Sequence, residues 1–203
     1  MLLASQQSWL SPMKTKRYGQ SAVLTSNQLD TLISALQGRH HQVLAEVCRR
    51  TACRISEARQ LTWASVTSSA VVFPKTITKG KLNSRTVPTT EKFQRILTDW
   101  RHEWAALNGR QPKPVDFVFP GRFAGEPMSS RGFMDALSRA ARKSGLEGVS
   151  SHSFRRSALS SASEAGIPLA ALRALSGHQS LQTLQRYLEV SQTAKEQAAA
   201  AFA

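Results

Sequence analysis

Four short segments carry residue types that can handle a phosphate. The first is Thr51-Ala-Cys-Arg-Ile-Ser-Glu57, where Arg54 opens a helical turn and Glu57 follows three residues later. The second is the basic stretch Thr78-Lys-Gly-Lys-Leu-Asn-Ser-Arg-Thr-Val-Pro88, which offers Lys79, Lys81 and Arg85. The third is His152-Ser-Phe-Arg155, with Arg156 next. Residues at i and i+3 share a helix face, so the imidazole and guanidinium can converge on one anion near a helix N-terminus. The fourth is Gly177-His178, with Tyr187 nine residues after the histidine; the chain's other tyrosine is Tyr18. On one unbroken helix that separation would put His178 and Tyr187 on opposite faces. If Gly177 ends one helix and Ser180 starts the next, the two can face a common cleft. Taken singly, each segment has an ordinary reading: a surface Arg with an i+3 Glu, a solvated turn, a solvated helix start, a half-buried aromatic.

Positioning these groups takes a mainly helical frame. Thr25-x-x-Gln28 reads as a capping box ahead of Leu29, Leu32, Ile33 and Leu36 at helical spacing, with Gly38 as the stop. A second helix runs from about His41 through Leu44, Val47 and Cys48, and Ser56 with Glu57 begins a short third. The pattern then turns β-rich at 70–73, 76–78 and 85–87, punctuated by Pro74, Gly80 and Pro88, which predicts a small antiparallel sheet with a basic hairpin tip. Phe93, Leu97, Trp100 and Trp104 recur at the helical period up to Gly109, and 115–119 reads as an apolar extended segment. Helices follow from Ser129 or Ser130 to Gly145, over about 152–165, from Pro168 to Gly177 and over about 180–190, before an Ala-rich tail. The fold class expected is α+β, mainly α-helical, with one small antiparallel sheet.

Charge narrows the partner. Lys plus Arg number 27 and Asp plus Glu 13, so 27 − 13 leaves +14. That excess points to a polyanion, nucleic acid before membrane surface. An apolar content of 41% excludes a disordered basic tail. Two cysteines cannot build a disulfide scaffold, and Cys48 shares an apolar face with Leu44 and Val47, as a core residue would. The spacings of His40, His41, Cys48 and Cys53 fit no zinc pattern, and no Gly-rich phosphate loop is present. No run approaches the roughly 20 apolar residues of a membrane span, so a cytoplasmic protein that handles nucleic acid is expected.

In order the segments read Arg, Lys, His-x-x-Arg, Gly-His, Tyr, and together they resemble the boxes of the tyrosine recombinase (phage integrase) family. The resemblance covers about residues 20–192, with Ala52-Cys53 standing where Gly-Leu is usual. It implies a catalytic domain over 21–190 between a basic lead-in, 1–20, and a helical tail, 191–203, that docks on a neighbouring protomer. It implies that Arg54, Arg155 and His178 hold the non-bridging oxygens of a phosphodiester, that Tyr187 is the nucleophile and that His152 helps take its proton. Lys79 protonates the leaving oxygen, in preference to Lys81, because it ends the strand while Lys81 lies in the turn. Glu57 orients Arg54, and Lys81, Arg85 and Arg156 contact DNA. No cofactor and no metal is implied. The partner is double-stranded DNA carrying recombination sites, bound by a homotetramer that is a monomer or dimer when free. With about 20 residues ahead of the catalytic region, the N-terminal DNA-clamp domain of the family is expected to be missing from this chain. Two rivals share parts of the pattern: type IB topoisomerase-like cleavage and religation, and a non-catalytic helix-turn-helix regulator over 167–189, which would have no need of the upstream basic boxes.

Overall fold

A computed structural model describes residues 20–78, 80, 83–188 and 192–200. Helix α1 (Ser26–Ala35) starts at the capping box read from the sequence, with Thr25 accepting from the Gln28 N–H and Gln28 accepting from that of Thr25. Helix α2 (Arg39–Thr51) buries Val43, Leu44, Val47 and Cys48 and is followed by the one-turn helix α3 (Ile55–Ala58). Strands β1 (Ala70–Phe73) and β2 (Arg85–Pro88) pair antiparallel in a two-stranded sheet, with Val71 opposite Val87 and Phe73 opposite Arg85. Then come α4 (Glu91–Asn108), α5 (Ser130–Lys143), α6 (Ser151–Glu164), α7 (Leu169–Ser176), α8 (Leu181–Gln185) and α9 (Gln192–Ala200).

Two apolar clusters hold these elements. The larger gathers Leu32, Leu44, Phe73, Phe93, Trp100, Phe119, Phe133, Leu137 and Phe154 from α1, α2, α4, α5, α6 and the sheet. The smaller consists of Ala52, Leu159, Leu172 and Leu184, with Tyr187 and Leu188 half-buried against it. The entering chain is tied to the start of α6. Ala22 donates to the Gly148 carbonyl at 2.9 Å, Leu24 to Ser157 Oγ at 2.8 Å, and the Ser21 and Ser150 hydroxyls lie 2.6 Å apart.

Three local expectations change. Residues 76–78 are not a strand: Lys75–Ile77 is a turn of 3-10 helix after Pro74, whose ring cannot donate to a sheet ladder. Residues 115–119 form only an isolated bridge, Thr62 to Phe117, because Trp100 Nε1 at 2.9 Å and Trp104 Nε1 at 3.1 Å occupy the carbonyls of Val118 and Phe117. Helix α8 stops at Gln185, well short of Val190, so Tyr187 stands in the turn after it. Among the described residues no helix is long and apolar enough to cross a membrane.

Candidate active site

The first arginine box is held by an ion-pair bridge. Arg54 is the residue before α3, where its backbone N–H would lack a partner; it donates to Glu57 Oε2 at 3.1 Å while its guanidinium reaches Oε1 at 2.9 Å. Arg85, on β2, meets Oε2 from the other side at 2.5 Å and lies 4.2 Å above the Phe73 ring. Burial of Glu57 would raise its pKa, but the hydrogen bond and charge of Arg85, with those of Arg54, hold it below the ordinary carboxylate value. A bridge of two guanidiniums on one buried carboxylate fixes the box to the hairpin.

The second box faces it from α6. Arg155 is fully buried, and its guanidinium donates to neutral acceptors: the Ala52 carbonyl at 2.5 Å and His178 Nε2 at 2.9 Å. Its Nε is buried with no partner among the described residues. Ala52 can turn its carbonyl this way because it adopts φ +49°, the left-handed conformation that a Cβ disfavours. Burial and the nearby Arg54 lower the Arg155 pKa to about 10, so it stays charged at neutral pH. A buried cation with no ion pair among the described residues is able to receive an anion.

His178 follows the left-handed Gly177 that ends α7. Burial first, then the charges of Arg155, Arg54 and Arg85, lower its pKa to about 3, so the ring is neutral. The Ser176 hydroxyl donates to the Leu172 carbonyl at 2.5 Å and lies 2.7 Å from His178 Nδ1. Nδ1 therefore carries the ring proton and donates to Ser176, leaving Nε2 to accept from Arg155. In this arrangement His178 orients Arg155, where the sequence suggested an outward donor.

Tyr187 completes the group. Its ring lies 4.8 Å from that of His178 and 6.1 Å from that of His152, centroid to centroid, with the Arg155 guanidinium 5.3 Å from its centre. Its backbone is anchored by a hydrogen bond to the Leu184 carbonyl at 2.8 Å and by Ser160 Oγ, which donates to its carbonyl at 3.2 Å. Thus Arg54, Glu57, His152, Arg155, His178 and Tyr187 come together from four separate stretches of chain.

Two basic residues leave the surface that the sequence gave them. Arg156 is buried and donates to the Ser21 carbonyl, because the helical step of about 100° turns it away from the face of Arg155. Arg85 is spent on Glu57 and Phe73 and so is not an outward hairpin contact. The choice between Lys79 and Lys81 lies outside the described residues. A residue not singled out from sequence, Arg173 on α7, also lines the recess; its position four residues before Gly177, one turn back, was the available signal.

Fold and site together define a mainly helical domain that sets one tyrosine beside a buried arginine, with a second, half-buried arginine in the same group. Residues 22–194 match the phage integrase family, and the chain belongs to it, among the tyrosine recombinases. A putative integrase/recombinase, y4qK, of Sinorhizobium fredii is 28% identical over 181 residues, covering 89% of this chain and 56% of that protein. Tyrosine recombinase XerC of Bifidobacterium longum is 28% identical over 162 residues, 76% of this chain and 44% of that one. The chain thus spans about half the length of these relatives. Among solved structures, XerA recombinase aligns with a TM-score of 0.70 at 17% identity, over 91% of this chain and 64% of that one. The catalytic domain of bacteriophage HP1 integrase aligns at 0.62 and 18% identity, over 83% and 87%. These likenesses establish the fold.

Proposed function

We propose that this chain cuts and rejoins double-stranded DNA as the catalytic domain of a site-specific recombinase. The observation that carries the reading is Arg155, buried with no ion pair among the described residues, with Tyr187 beside it at 5.3 Å. In the proposed step Tyr187 Oη attacks the scissile phosphorus, the P–O5′ bond breaks and a 3′-phosphotyrosine forms. The tyrosine proton passes to His152, and the leaving 5′ oxygen takes one from Lys79. Arg54 and Arg155 hold the non-bridging oxygens as charge builds on them, Glu57 keeps Arg54 in place, and His178 joins as donor once its ring proton moves to Nε2. Attack by a 5′-hydroxyl reverses the step, so bond energy is conserved for rejoining, on the same strand or a partner's. The DNA partner is supported by a structural neighbour, XerH, bound to its difH substrate. Within the reading, residues 21–190 form the catalytic unit, α9 in the 191–203 tail docks on a neighbouring protomer of a DNA-bound homotetramer, and the protein works in the cytoplasm.

The test is covalent trapping on nicked suicide duplexes selected from a random-sequence pool. The wild-type protein and Tyr18→Phe should yield a denaturation-resistant protein–DNA adduct and Tyr187→Phe none, with duplex binding retained. Arg54→Ala or Arg155→Ala should slow trapping by about two to three orders of magnitude, as loss of one transition-state donor does. A full-strength adduct from Tyr187→Phe, or trapping abolished by chelator, would defeat the assignment.

A further inference from the structure

The recess between the hairpin and α7 is larger than one phosphate needs. Its volume is about 270 Å³, near the lower end of the roughly 300–1,000 Å³ typical of small-molecule pockets. Buried Glu57 and His178, the enclosed side chain of Arg85 and the half-buried one of Arg54 form the inner part. Exposed Asn83 and Arg173 stand at the outer part, on the hairpin side and on α7. Among the described lining residues, three guanidiniums against one carboxylate, 3 − 1, leave +2. Both Glu57 oxygens are already taken, by Arg54 and Arg85. Arg173 forms no ion pair among the described residues.

Arg173 belongs to the last turn of α7, where any cation is favoured by the helix dipole. Its backbone adds more. The Arg173 carbonyl accepts from the Gly177 N–H at 2.9 Å, the bond that closes the left-handed cap and aims His178 inward. One turn of backbone therefore sets both His178 and the outer cation, at a fixed offset from each other. A single anion held at Arg54 leaves that outer charge unmet. A chain of phosphates meets it.

We propose that the recess takes two consecutive phosphates of one DNA strand, the attacked one against Arg54 at its inner part and the neighbour against Arg173 at its outer part. The inference rests on the reading of Arg54 as a phosphate ligand. Arg173 then acts in register, holding the strand so that the correct phosphate lies in front of Tyr187.

Two small probes test it without knowledge of the target site: d(TpT), with one phosphodiester, and d(TpTpT), with two, titrated at low salt by NMR. The wild-type protein should bind d(TpTpT) roughly five- to tenfold tighter than d(TpT), beyond the twofold that two equivalent phosphates give statistically. Arg173→Ala should cut that ratio to about two, and Arg173→Lys should keep most of it, since a point charge can meet a phosphate. On a 30-bp duplex of arbitrary sequence, Arg173→Ala should also flatten the dependence of log K on log salt by about 0.9. A ratio near two in the wild type, or one unchanged in Arg173→Ala, overturns the two-phosphate recess. Arg54→Ala should weaken both probes and leave their ratio; if d(TpT) binding ignores Arg54, the reading of the inner site fails on its own account.

Discussion

The two halves of the site are built on different footings. Arg54, Glu57 and Arg85 are rooted in the larger core: α2 leads into Arg54, and Arg85 rests on buried Phe73. Tyr187 rests on the smaller cluster of Ala52, Leu159, Leu172 and Leu184, in a turn after the five-residue α8. A short helix has little stability of its own and borrows what it has from packing. The contrast suits attack on a phosphodiester. Donors for developing charge gain from being fixed before the reaction, whereas a nucleophile must approach and then travel with the strand it has captured. Arg155 spans the halves, since it reaches back to Ala52 and forward to His178.

The sharpest way to break the contrast is acid. His178 has its pKa lowered from 6.5 to about 3 by burial and the arginines around it. The unfolded chain then binds a proton that the folded one refuses, so stability is full above pH 6.5 and falls as pH drops towards 3. The loss should be on the order of 4 kcal/mol. Urea unfolding followed across that range checks this, with His178→Gln expected to give a flatter profile. Equal profiles would mean that the ring is not held neutral by the frame.

A paired truncation comes next. Leu44→Ala in the larger core should lower global stability by about 3 kcal/mol, whereas Leu184→Ala should cost about 2 kcal/mol and act mainly on α7 and α8. Hydrogen exchange would separate them, with protection lost throughout in the first and only around 169–188 in the second. If both variants lose protection everywhere, the lobes are one cooperative unit and the distinction falls.

The smallest effect is at the joint. Ala52 has φ +49°, so Ala52→Gly should stabilise the protein by roughly 0.5–1 kcal/mol, read from the denaturation midpoint. A loss would show that packing of the Ala52 methyl against Leu159 and Leu172 outweighs relief of the backbone.

Much of this was legible in the chain itself. The i, i+3 spacing of Arg54 and Glu57 becomes an ion pair at 2.9 Å, and the glycine at 177 lets His178 and Tyr187 meet although nine residues separate them. What escaped were questions of which way a cation turns. Arg155 and Arg156 are adjacent and both buried, yet one turns to His178 and the other clasps the Ser21 carbonyl. Arg85 reads as a solvated hairpin arginine until Glu57 and Phe73 are seen to enclose it. Charge counts carry no direction, and direction depends on which distant segment packs alongside. The same holds for 76–78, whose threonines favour a strand while Pro74 leads into a 3-10 turn and the Thr78 hydroxyl donates to the Asn83 carbonyl.

The stitching of residues 21–24 onto α6 has a mechanical consequence. Their hydrogen bonds end on Gly148, Ser150, Arg156 and Ser157, which flank His152 and Arg155 on both sides. Tension applied to the backbone at Gln20 would not dissipate in a loop but arrive as torque on the first two turns of α6. The entering segment is a lever whose short arm is Arg155.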